Sequence, residues 1–143
     1  MYYGHWLYHG PFDVGTTTLN GLGVLKDQRN NPDPNLSHQA AKGGAGASSL
    51  SNGSLMKITP IAVWSQNLSI EDLETCVKAD VSLMHSKSDM WDICSAYCIA
   101  IGILCKNVDK GYTERANMAI EAIRSYGQRE GRTEFIGEWL STA

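Results

Sequence analysis

The sequence predicts an all-α fold, a compact orthogonal helical bundle, with residues 1–143 as a single domain. Three observations carry this. Apolar residues recur at helical spacing: Leu19, Leu22 and Leu25; Leu73, Val77, Val81 and Met84; Ala116, Ile120 and Ile123. Polar caps and first-turn acids precede such stripes, as in Ser69-Ile70-Glu71-Asp72. No alternating apolar–polar run reaches a convincing strand length. At 143 residues and 43% hydrophobic content, the chain has the size of one domain and material for its core.

In chain order, Met1 to His9 reads as the end of a helix, stopped by Gly10-Pro11. Its aromatic opening without a polar lead-in suggests an element whose start is missing. Asp13 is placed to cap a second helix that runs to about Lys26. Gly21 and Gly23 weaken that helix, so a close packing partner is expected there. Asp27 to Ser49, rich in proline, asparagine and small residues, reads as a long loop, more often functional than idle. Its Gly43–Ala47 portion also reads as plain flexible linker.

From Gly53 a single helix is expected through Leu55, Ile58, Ala62 and Val63, with Pro60 tolerated in its first turns. Ser69 opens the next, which runs toward Met84. Ser88 or Asp89 starts a helix buried on nearly all sides through Cys105. Its apolar run, Ile93 to Cys105, is too short to span a bilayer. Asp89 and Asp92 complement the dipole at its start. Thr113 starts another helix, and a last one covers about Thr133 to Leu140.

Composition excludes several functions. The net charge of −3 comes with no basic patch for nucleic acid. The N-terminus lacks the features of a signal peptide, and no membrane partner is expected. The cysteines Cys76, Cys94, Cys98 and Cys105 lack zinc-site spacing and read as core residues, which points to a reducing, cytoplasmic setting.

The most informative stretch is Ser51-Asn52-Gly53-Ser54-Leu55-Met56-Lys57-Ile58-Thr59-Pro60. A small polar run opening into a helix leaves backbone N–H groups free for an anion, and Gly53 and Ser54 let a ligand come close. Ordinary capping explains the same residues equally well. Asp13 is a cap or a carboxylate at a site edge, and the two roles can coexist. His85 is a helix-end histidine favoured by the dipole or a group at a pocket mouth. His5, His9 and His38 have no partners in the sequence and read as surface or loop residues.

Three motifs in order carry a resemblance. Phe12-Asp13-Val14-Gly15-x-Thr17, then Ser51-Asn52-Gly53-Ser54-Leu55-Met56-Lys57-Ile58-Thr59-Pro60, then Ser82-Leu83-Met84-His85 resemble the ADP-ribosylglycohydrolases. The likeness is closest to the branch of the bacterial dinitrogen-reductase-activating glycohydrolase. It implies an all-α hydrolase that removes ADP-ribose from modified protein side chains or related ADP-ribosyl compounds. It also implies Mg2+ ions, usually paired, that position the ribose and a water. Asp13 would lie at the scissile ribose. Ser49, Ser51, Asn52, Gly53 and Ser54 would line the diphosphate and adjoining ribose, and Met56 and His85 would shape the ADP-ribose pocket. Lys57 stands where the family often has arginine.

The family's early Thr-Asp-Asp and late Asp-x-Asp metal motifs have no counterpart here. The expectation is therefore a central fragment, one partial domain over residues 1–143, inactive alone and open to partnership with the rest of its own domain. A catalytically inactive ADP-ribose-binding or structural module is the alternative.

Overall fold

The computed structural model describes residues 2–26, 33–43, 47–132, 134 and 136–138. Among these, eight α-helices follow one another and no strand occurs: α1 (Tyr2–Tyr8), α2 (Thr16–Leu22), α3 (Pro34–Gly43), α4 (Gly53–Lys57), α5 (Thr59–Trp64), α6 (Ile70–Val81), α7 (Ser88–Lys106) and α8 (Tyr112–Gly127). Short 3-10 turns extend α2 over Gly23–Leu25 and α5 over Ser65–Asn67. Residues 134 and 136–138 are helical within the last expected helix, whose other positions lie outside the described residues.

Several boundaries differ from expectation, each for a local reason. The helix cap before α2 is Gly15, without a side-chain cap bond, so Asp13 is not the N-cap. The segment expected as a loop contains α3. Asp33 precedes it and accepts from the Asn35 backbone N–H at 2.9 Å, Pro34 is pre-set for a first turn, and Gly43 ends it. The helix expected from Gly53 is two. It breaks at Ile58, and Pro60 sits in the first turn of α5, where its missing N–H costs nothing. The α6 helix stops at Val81, Ser82, Leu83 and Met84 form the turn that follows, and His85 comes just after it. Its start matches the capping pattern: Ser69 Oγ accepts from the Asp72 N–H at 3.1 Å.

Two apolar clusters make the core. The larger joins Ile58, Ala62, Leu73, Val77, Val81, Met90, Cys94, Cys98, Ile99 and Tyr126 around α7. The smaller joins Leu7, Leu22, Leu25, Leu83 and Met84 between α1, α2 and the turn after α6. At 19 residues, the whole of α7 is long and apolar enough to cross a membrane by length and composition alone, as a core helix of a soluble protein also can be, while its continuous apolar run is shorter. Here α5, α6 and α8 pack on it. Burial pushes the Cys94 and Cys98 thiols up to about 12, so both stay protonated and act as small apolar groups.

An ionic knot ties α6, α7 and α8. Arg132 pairs with Glu74 and with Asp92 Oδ1 at 2.8 Å, and it stacks over the Tyr126 ring with 4.9 Å to the centroid. Tyr126 donates to the same Asp92 oxygen at 3.3 Å. Asp92 is therefore a buried ion-pair partner more than a dipole complement.

At Gly21 the close partner expected from sequence is present. A methyl there would lie 2.3 Å from the Leu83 carbonyl oxygen and 2.9 Å from Met84 Cα. At Gly23 it would meet only Leu19 Cδ1, at 3.7 Å. Gly21→Ala should therefore lower stability by about 1–3 kcal/mol through overpacking, read from urea unfolding, while Gly23→Ala changes little. Arg132→Met should cost about 3 kcal/mol in the same assay, because it leaves Asp92 buried without its cation.

Candidate functional site

Two hollows meet where α1, α2 and α4 come together. The larger, about 480 Å3, is lined by Tyr3, Trp6, Asp13, Val14, Gly15, Thr18, Leu22, Gly53, Met56 and Lys57. The smaller, about 300 Å3, is lined by Thr16, Thr17, Ser51 and Asn52. Gly15, Thr18, Gly53 and Met56 line both, so the two hollows adjoin at those residues and together make up the cleft. A further hollow of about 400 Å3 between α6, α7 and α8 is mostly apolar and holds none of the site residues expected from sequence.

Local chemistry explains the cleft's walls. The loop before α4 is braced from within. Ser49 Oγ accepts from the Ser51 N–H at 3.1 Å and lies 3.2 Å from Thr17 Oγ1 on α2. The Ser51 N–H is therefore already used. The first N–H groups of α4, from Gly53, Ser54 and Leu55, lie outside the helix's own bonding ladder. At Gly53 a methyl would lie 3.1 Å from Thr18 Oγ1, so glycine lets α2 and α4 approach closely there.

His85 sits behind this loop. It is wholly buried, with Nδ1 2.7 Å from Ser54 Oγ and Nε2 3.1 Å from Ser51 Oγ. A neutral ring offers one donor and one acceptor, so one serine donates to it and the other receives. Burial first, then the Lys57 charge, hold the imidazole below its ordinary value. The Trp91 indole N–H donates to the His85 carbonyl at 3.2 Å and fixes the turn to α7.

One wall carries a trio absent from the sequence-based site. The Tyr3 hydroxyl donates to Asp80 Oδ1 at 2.8 Å, while Lys57 pairs with Asp80 and donates to the Tyr3 hydroxyl at 3.3 Å. Burial, then Asp80, push the Tyr3 phenol up, so it remains a donor. Burial lowers the Lys57 ammonium, and Asp80 opposes that shift. Tyr3 and Trp6 stand three residues apart on α1, a spacing that places them on neighbouring faces of a helix and was readable in the sequence.

Of the residues expected at the site, Asp13, Ser51, Asn52, Gly53 and Met56 line the cleft. Ser49 braces the loop, and Ser54 and His85 lie buried behind it. The cleft thus offers hydroxyls and an amide at one end and, at the other, an aromatic and thioether wall with one carboxylate. That suits a ligand with a polar, hydrogen-bonding stretch and a ribose-like or flat apolar part. It does not suit a pair of divalent ions. Magnesium wants carboxylate oxygens, Asp13 is the sole carboxylate in the lining, and the described residues contain no cluster of three or more His, Cys, Asp or Glu able to hold a metal.

The sequence model of a family described as ADP-ribosylglycohydrolase matches residues 1–143. No curated protein and no solved structure matches the chain significantly.

The buried histidine yields a pH prediction. The folded ring is held neutral while the unfolded one titrates near 6.5, so His85 contributes stability that is fully present above about pH 6.5 and is lost as pH falls through the folded value. His85→Asn should therefore melt well below wild type at pH 7.5, and the gap should narrow by pH 5.5. A gap that is constant with pH would mean that another group titrates.

Proposed function

Because the chain belongs to the ADP-ribosylglycohydrolase family, we propose that its cleft holds the ADP-ribose of an ADP-ribosylated protein or related compound. Asp13 faces the ribose at the scissile bond. The carrying observation is that Asp13 lines one hollow, Ser51 and Asn52 line the adjoining one, and Gly53 lines both. In this reading the diphosphate lies against the α4 start and the threonines of α2, where N–H and O–H groups meet its charge. Within the family, the Asn52-Gly53-Ser54-x-Met56 run favours the dinitrogen-reductase-activating branch.

The family's reaction is metal-dependent hydrolysis of an ADP-ribosyl bond. No step through a metal is assigned to these residues. What Asp13 can do alone is accept a hydrogen bond from a ribose hydroxyl and favour positive charge at the anomeric carbon as the bond breaks. Gly53 and Met56 hold the ligand's middle, and the Tyr3–Asp80–Lys57 trio keeps the adjoining wall in place. A second reading, ADP-ribose binding without turnover, draws support from the single carboxylate in the lining.

Isothermal titration tests the first step. ADP-ribose should bind with the same affinity with or without Mg2+, and Asn52→Asp, which adds a negative charge to the lining near the diphosphate at little change of volume, should weaken binding about tenfold or more. Failure of the wild type to bind at millimolar ADP-ribose would overturn the assignment. If the chain releases ADP-ribose from modified protein, Asp13→Asn should slow release by on the order of 10²-fold. Binding without release would select the second reading.

A further inference from the structure

We infer that the C-terminal end of α1 carries a chelating site for a borderline divalent transition ion, made by His5 on the helix and His9 in the turn that directly follows it. The sequence His5-Trp6-Leu7-Tyr8-His9 places two imidazoles four residues apart. That spacing puts them one above the other on a helix, the arrangement that binds zinc in helical two-histidine motifs. The structure brings the rings together: their centroids stand 4.4 Å apart at 68° between planes. Two imidazoles on one ion, with metal–nitrogen bonds of about 2.0–2.1 Å, stand on the order of 4–5 Å apart between centroids. The backbone holds the spacing, since the His9 N–H donates to the His5 carbonyl at 3.3 Å.

Both rings are exposed, on the side of α1 away from buried Leu7, so a hydrated ion can reach them without moving the core. One ring nitrogen from each histidine replaces one water on the ion, and the remaining positions stay hydrated. Nitrogen ligands suit nickel, copper and zinc, whereas magnesium prefers oxygen. The site is thus distinct in position and chemistry from the cleft, although it shares α1 with Tyr3 and Trp6 of the cleft wall. An ion clipped across the last turn of α1 would stabilise that helix, because the pair is preformed only when the helix is.

The test is titration of the untagged full chain with Ni2+ alone, followed by calorimetry and thermal melting. Wild type should show one saturable site and a higher melting temperature with excess Ni2+. His5→Ala and His9→Ala should each bind on the order of a hundredfold more weakly, since each loses the intramolecular second bond, and neither should show the thermal shift. His38→Ala, on α3, should bind as wild type, and excess Mg2+ should not compete. Far-UV circular dichroism should show all variants folded. An unchanged isotherm in His5→Ala or His9→Ala, loss of the site in His38→Ala, or displacement by Mg2+ would overturn the proposal.

Discussion

The turn between α6 and α7 is the constraint on which the rest of the structure depends. Val81 closes the larger apolar cluster, and two residues later Leu83 and Met84 enter the smaller one. The next residue, His85, reaches neither cluster but stands between Ser51 and Ser54. Five consecutive residues thus set both halves of the core and the loop that walls the cleft. The Leu83 carbonyl and Met84 backbone also press on α2 at a position without a side chain. A single turn therefore fixes α2, α4 and α7 relative to one another, and the cleft inherits its shape from that relation.

The helical class and the long stripes were legible because periodicity is a local property. The α6, α7 and α8 helices follow their stripes closely, and Ser69 caps as its spacing implies. The misses have local causes. Proline, asparagine and small residues make the stretch from Asp27 read as a loop, yet Asp33 and Pro34 start α3, while Pro60, expected inside one continuous helix, lies just past the break that divides it in two. Asp13 reads as a cap from composition alone, but the chain stays extended for two more residues, through Gly15.

The cleft was legible only in part. Asp13 and the Ser51–Met56 segment stand out because glycine and small polar residues before a helix have few purposes. The pairing of His85 with residues 31 and 34 positions away, and of Tyr3 with Asp80 across 77, is long-range and leaves no trace in a single sequence. The His5–His9 pair was the reverse case. Its spacing was open to view, but only the ring geometry gives it meaning.

The Tyr3–Asp80 bond separates two jobs of α1. It joins the first helix to the sixth across 77 residues, and Lys57 completes it from the fourth. Leu7, on the same helix, packs with the nearby Leu22 and Leu25, so α1 is seated on its chain neighbours by apolar contact. The polar trio therefore aligns the wall that carries Tyr3 and Trp6, while the seat of the helix rests on the smaller cluster.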